Sequence, residues 1–259
     1  MEKLSERQPL PCVGEESARL KPARSKTFSR AYFKEAAALI KNVKILAFAA
    51  VICALRIAVK SLSVPIAPGV YLSFDCYVNA VGAMVYGPIF ALLVGAVSDT
   101  LGAVLFPKGA YFFPFIAVEM LSGFIFALFL WRKKLTAPRL LLAKFTVNFL
   151  CNIVLNSAIQ KWYYALFVTD KVYYMINGVR IVKNLAIFPL EAVLICVLLN
   201  ALLPGLKSLG YADKSQEGIA LEKKELLLCG AFAVLSVAIV LFYVLFLRDF
   251  VAAHNIKLF

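Results

Sequence analysis

The chain has 259 residues, 62% of them hydrophobic and 17% charged, with a net charge of +13 and a mean hydropathy of +0.83. Soluble domains hold about 45–50% apolar residues by a similar count, and a core of this size cannot hide the excess. The composition argues against a soluble enzyme, a nucleic-acid module or a disordered chain, and for an integral membrane protein with several spans.

Residues 1–43 read as a basic, polar N-terminal extension. The stretch from Lys26 to Lys44 intersperses cations with Phe28, Tyr32, Phe33, Leu39 and Ile40. It reads as an interfacial amphipathic helix or as a basic tail. Seven apolar blocks follow, over 45–63, 70–86, 88–106, 111–131, 140–167, 180–204 and 225–247. The second and third form one run broken at Tyr86-Gly-Pro88. As one helix it would be about 55 Å long at 1.5 Å per residue, against a hydrocarbon core of about 30 Å. Two helices with a tight turn fit. Residues 44–204 are therefore expected to form a six-helix membrane core, 205–224 a polar linker, and 225–259 a seventh transmembrane helix and tail.

Lysine and arginine set the expected orientation. Ten lie in residues 1–44, five at Arg132, Lys133, Lys134, Arg139 and Lys144, and four over 207–224, together nineteen of the 28. This side is expected to be cytoplasmic, with the N-terminus inside.

No GxxxxGK[ST], GxSxG, HExxH or calcium-loop motif is present, and His254 is the only histidine. No enzyme, metal site or cofactor in this chain is expected. The six cysteines lie far apart, with no CxxC pair, and read as small apolar residues.

A charge at the bilayer centre costs about 2.5–3.5 kcal/mol on insertion scales, so charged residues inside apolar blocks face a cavity or a partner. Arg56, Asp75, Asp99, Glu119, Lys183 and Glu191 are such residues. Arg56 and Lys60, one turn apart, read as an anion-attracting entrance or as snorkelling cations. Asp75, beside Tyr71, Phe74 and Tyr77, suits a flat ring bearing N–H groups, or pairing with Arg56 or Lys60, or both. Asn148, Asn152 and Asn156 recur on one helical face, lining a cavity or a helix contact. Arg180, Lys183 and Asn184 span about one turn, and two cations there hold carboxylates or anchor the helix. The aromatic loop from Phe106 to Pro114, with Tyr111, caps a cavity or forms part of an aromatic belt. Ala50, Ala54 and Ala58 make a small-residue stripe, for a separate membrane subunit or for packing within the chain.

Three stretches carry a family resemblance. They are Leu72-Ser-Phe-Asp75 with Gly82-Ala-Met-Val-Tyr-Gly-Pro88; Val94-Gly-Ala-Val-Ser-Asp-Thr-Leu-Gly102 with Leu105-Phe-Pro-Lys-Gly-Ala-Tyr-Phe112; and Arg180-Ile-Val-Lys-Asn-Leu-Ala-Ile-Phe-Pro-Leu-Glu191, preceded by Leu155-Asn-Ser157. Over roughly 44–204 the sequence resembles the substrate-binding S components of energy-coupling factor (ECF) vitamin transporters, most closely the folate-specific branch. The resemblance implies a six-helix fold with an outward-facing vitamin pocket in a bacterial cell membrane. It also implies a transmembrane coupling subunit and two cytoplasmic ATPase subunits as partners. In that family the alanine stripe on the first helix docks on the coupling subunit, and Ala50 and Ala54 match it.

Chemistry laid on these stretches gives pterin recognition to Asp75 with Tyr71, Phe74 and Trp162, near the Tyr111 loop. Carboxylates go to Arg180 and Lys183, and further hydrogen bonds to Asn184 and Asn156. Tyr71 stands where the family has a basic residue, and Phe113-Pro-Phe-Ile116 replaces a Pro-Gly-Phe-Thr-like run. These departures keep a second expectation open, an S component for another vitamin or small heterocycle. A membrane scaffold is a third.

Overall fold

The computed structural model describes residues 29–62, 64–67, 70–72, 74–107, 111–167 and 178–212, with isolated positions 231, 234 and 238; for 64–67, 70–72, 178–183 and 185–186 it describes backbone alone. Of the last apolar block, Ala231, Val234 and Ala238 are helical and exposed, and the rest of the expected seventh span lies outside the described residues. So does most of the basic extension.

Helix α1 spans Arg30–Ala38, with the Ser29 side chain accepting a hydrogen bond from the Ala31 amide at its start. A tight turn over Leu39–Lys41 follows. Helix α2 is Val43–Ser61. Its N-cap Asn42 accepts from the amides of Lys44 and Ile45 at 3.0 and 3.4 Å, a side chain replacing the missing helical acceptors. The chain bends by 86° between Arg30–Lys41 and Val43–Ser61. Within the region read as an interfacial helix or a basic tail, residues 30–38 are helical, with Tyr32 and Ala36 buried against the protein.

A two-stranded antiparallel hairpin, β1 Val64–Ala67 and β2 Val70–Leu72, precedes the next helix. The second apolar block is thus corrected at its start: it opens as a strand, and Tyr71 stands opposite Pro65 in the hairpin.

Helix α3, Asp75–Leu105, breaks at Gly87, whose φ of 77° and ψ of −176° are non-helical. Two antiparallel-compatible segments result, 75–86 and 88–105, as the length argument requires. The positive φ favours glycine, and a Cβ here would also meet the Trp131 ring at 2.8 Å. Pro88 opens the second segment, where its missing N–H costs nothing.

Helix α4 is Phe115–Leu130. Helix α5, Ala137–Thr146, runs through a π-helical segment over Val147–Leu155 into α6, Asn156–Phe167. Helix α7 is Gly178–Ser208. Asp75–Leu105, Ala137–Phe167 and Ile187–Ser208 are each apolar and long enough to cross a membrane, and Phe115–Leu130 is a shorter apolar helix. With α3 broken at Gly87 and α2 in front, six membrane segments form one bundle.

Its centre is small and close-packed. Ala80, Ala83, Ala91, Ala127, Ala143, Phe126, Leu130, Leu140, Ile195 and Leu199 are buried in one cluster. Small residues bring the two α3 segments, α4 and α5 close together, as membrane helices need when water supplies no driving force between them. The contact of α3 with α4 is tightest at Gly95, where a Cβ would lie 2.9 Å from the Glu119 carbonyl oxygen. That approach sets the height of Glu119 in the bundle.

Candidate functional site

Arg56 is fully buried on α2. Its Nε donates to Asp75 Oδ1 at 2.9 Å and its Nη2 to Oδ2 at 2.8 Å, a bidentate pair. The same Nη2 donates to Glu119 Oε2 at 2.6 Å. Lys60, one turn further on, bridges Glu119 Oε1 and Asp99 Oδ1, both at 3.1 Å. Three carboxylates and two cations from α2, both segments of α3, and α4 thus form one network.

This corrects the reading of Arg56 and Lys60 as an entrance or as snorkelling cations. Both turn inward because the acids of α3 and α4 lie at the same height. Of the alternatives for Asp75, pairing with Arg56 is the one the structure shows. Arg56 Nη1 has no hydrogen-bond partner among the described residues.

A second buried pair joins α5 to α7, with Lys144 Nζ 2.8 Å from Glu191 Oε2. Lys144 was counted above among the cytoplasmic cations, and that count is corrected to eighteen: the lysine is 1% exposed and lies inside the bundle. Glu191, also within a span, draws it in.

The asparagine ladder makes helix contacts. Asn152 Nδ2 donates to Asn148 Oδ1 at 2.9 Å, and Asn148 Nδ2 donates to the Asn184 carbonyl at 3.2 Å. The ladder lies on the π-helical segment and ties it to α7. Asn156, at the ladder's outer end, keeps a buried Oδ1 without a partner among the described residues.

Above this ionic and amide tier lies an aromatic one. Phe112 packs edge-on against Phe115, Trp162, Tyr163 and Phe167, with centroids 5.2 to 6.0 Å apart. The loop before α4 therefore sits on the end of α6, the same end of the bundle as Asp75. Trp162 is 55% exposed and Tyr111 47%; the Tyr111 hydroxyl lies 3.5 Å from Thr100 Oγ1. Phe74 is at the start of α3, 5.8 Å from the Tyr77 ring.

The structure thus brings Phe74, Asp75, Tyr111, Asn156, Trp162 and Asn184 to one end of the bundle. Arg180, Lys183 and Tyr71 lie on described backbone of α7 and β2, and their side chains lie outside the description. The sequence reading named Arg56 and Lys60 as partners for Asp75 but missed that Glu119 and Asp99 join them, and it missed Lys144 with Glu191. The signal was there: isolated opposite charges inside separate spans pair with one another. Ala50, Ala54 and Ala58 are exposed on the outer face of α2, so among the described residues nothing packs over this stripe. No cluster of three or more potential metal ligands occurs among the described residues.

Among the described residues, this end of the bundle presents the rings of Phe74, Tyr111 and Trp162 beside the carboxylate of Asp75.

The sequence profile of a family described as ECF-type riboflavin transporter, S component, matches residues 40–204. The folate transporter FolT of Clostridium novyi (strain NT) is 32% identical over 157 residues, 60% of this chain and 88% of that protein. The folate transporter FolT of Leuconostoc mesenteroides subsp. mesenteroides is 29% identical over 133 residues, 50% of this chain and 70% of that protein. A crystal structure of FolT bound with folic acid is similar at a TM-score of 0.50 and 26% identity, over 57% of this chain and 86% of that one.

Proposed function

The chain belongs to the S-component family of ECF-type transporters, a multi-pass membrane family, and from that premise we propose that it captures folate for uptake driven by separate chains. The observation that carries the ligand is the 32% identity to a folate transporter over 88% of that protein's length. The folic-acid-bound FolT structure supports it.

In this reading the pterin ring lies among Tyr71, Phe74, Tyr111 and Trp162, with Asp75 accepting from its N–H groups. A carboxylate has about four acceptor positions, so pairing with Arg56 does not by itself exclude a ligand. Arg180 and Lys183 hold the glutamate carboxylates; Asn156 and Asn184 add hydrogen bonds. The unpartnered Asn156 Oδ1 supports its place among them.

The chain carries no ATP-binding loop and, in this reading, no cofactor. Energy comes from two cytoplasmic ATPase subunits through a transmembrane coupling subunit that docks on Ala50 and Ala54. Their exposure supports that docking. The N-terminus lies on the cytoplasmic side of a bacterial cell membrane.

A second reading keeps the family and changes the vitamin. It rests on the riboflavin in the family description and on Tyr71 and Phe113, which depart from the folate pattern. Intrinsic-fluorescence titration of the purified chain with folate, 5-formyltetrahydrofolate, thiamine and riboflavin separates the two. Trp162 in the aromatic tier supplies the signal. Stoichiometric quenching by the two folates alone is expected. Quenching by riboflavin or thiamine alone establishes the second reading, and silence from a folded protein removes folate.

A further inference from the structure

Helix α1 lies ahead of the family match, which begins at residue 40, yet it is built into the molecule. Its Tyr32 and Ala36 are buried in a cluster with Trp131. Tyr32 packs edge-on against Trp131 at 4.8 Å and its hydroxyl donates to the Ala127 carbonyl. Phe33 stacks on Phe124 at 6.4 Å. Glu35 pairs with Arg132, whose guanidinium also lies over the Trp131 ring. These contacts run from Phe124 in the second half of α4 to Trp131 and Arg132 just past its end. Ile89, just past the break in α3, packs on the same cluster, so helix α1 lies at the bundle's inner end against both α4 and the Gly87 turn.

What faces away from the protein is basic. At 100° per residue, Arg30 and Lys34 fall opposite Tyr32 on the helical wheel, and both are exposed, as is Lys41 in the following turn. The only acid on α1 is Glu35, already paired with Arg132. A helix set 86° from the span that follows it, docked at the inner end of the bundle through its Tyr32 face, leaves this ridge exposed there.

We propose that Arg30, Lys34 and Lys41 form a binding surface for anionic phospholipid headgroups of the cytoplasmic leaflet. The occupant follows from charge: three exposed cations, with the one acid of α1 already paired with Arg132. A shared coupling partner is a poorer fit, since α1 is not part of the matched family region. The proposal rests on the cytoplasmic placement of the N-terminus given above. Each Lys or Arg near an anionic membrane surface raises a segment's affinity for that surface about fivefold.

The full chain in neutral detergent is exposed to phosphatidylglycerol and phosphatidylcholine together, and retained lipid is read by native mass spectrometry. Wild type is expected to keep phosphatidylglycerol preferentially, and less so as salt rises. The Arg30→Gln, Lys34→Gln, Lys41→Gln variant is expected to lose on the order of a hundredfold of that preference, with unchanged helix content and size-exclusion profile. Equal retention of both lipids by wild type, or a preference indifferent to salt, overturns the proposal without using the variant. So does an unchanged preference in the variant; if that variant instead fails to assemble with a coupling subunit, the ridge is a protein contact. Protection by inorganic phosphate equal to that by the lipid also overturns it. Folate titration of the same preparations reads the transport function separately, and labelling of a Ser29→Cys variant from outside the cell reads the orientation.

Discussion

Arg56 has no solvent to turn to, and its two carboxylate partners are themselves largely buried. Removing one partner of a buried pair costs about 3–5 kcal/mol, because the remaining charge is left uncompensated. Arg56→Gln should therefore lower the thermal midpoint in detergent steeply, and adding Asp75→Asn should restore part of the loss. A single variant as stable as wild type would show that the network carries no such load. The carboxylate role of α7 is tested by affinity. Charge-assisted hydrogen bonds contribute about 1.5–3 kcal/mol each, so Arg180→Gln or Lys183→Gln alone should weaken folate binding by about ten- to a hundredfold, and the two together by more. A pteroate ligand lacking the glutamate should bind the variants and wild type alike. At this scale the sequence exposed which residues were costly but not which met which. Arg56 and Lys60 stand one turn apart and both reach the same acids, so spacing left Asp75 two possible partners. Lys144 was misplaced because it follows a run of true loop cations, and only the fold brings Glu191 beside it.

Among the elements, the break at Gly87 was legible because length forbade one helix and Gly-Pro marked the place. The hairpin was not, since Val70-Tyr-Leu72 is as apolar as the helix it precedes, and a short apolar run does not declare its period. The π-helical segment left no signal either: its asparagines recur every four residues, as an α-helix would have them. Helix α1 was an open choice until Trp131 and Glu35's partner came into view, both distant in sequence. Its docking has a pH limit. Burial pushes the Tyr32 phenol up to about 12, above its ordinary value of about 10. The folded form therefore holds a proton that the detached helix releases. That contribution to docking is complete below pH 10 and fades as pH rises toward 12. Trp131 should become accessible to quencher across that interval, and a Tyr32→Phe protein should not show the transition.

For the whole molecule, the alanine face of α2 separates capture from transport. Ala50→Leu with Ala54→Leu should leave folate binding intact and abolish ATP-dependent uptake in liposomes containing the partner subunits. Intact uptake would place the docking surface elsewhere. The six-span architecture was readable throughout from hydropathy, and the described residues bear it out over 43–208.

The broken third helix has one more consequence. Its first segment, 75–86, is about 18 Å long at 1.5 Å per residue, well short of a hydrocarbon layer of about 30 Å. Above Asp75 the chain continues as the hairpin, and irregular backbone at such depth is tolerated only where protein or a watery cavity shields it from lipid. The close-packed part of the inner half is the plug formed by Ala80, Ala83, Phe126, Leu130 and Leu140. Phe126→Ala opens a void in that plug, and proteoliposomes carrying it should dissipate a proton gradient, read with an entrapped pH dye, faster than wild type. An unchanged leak rate would mean that the plug is not the barrier.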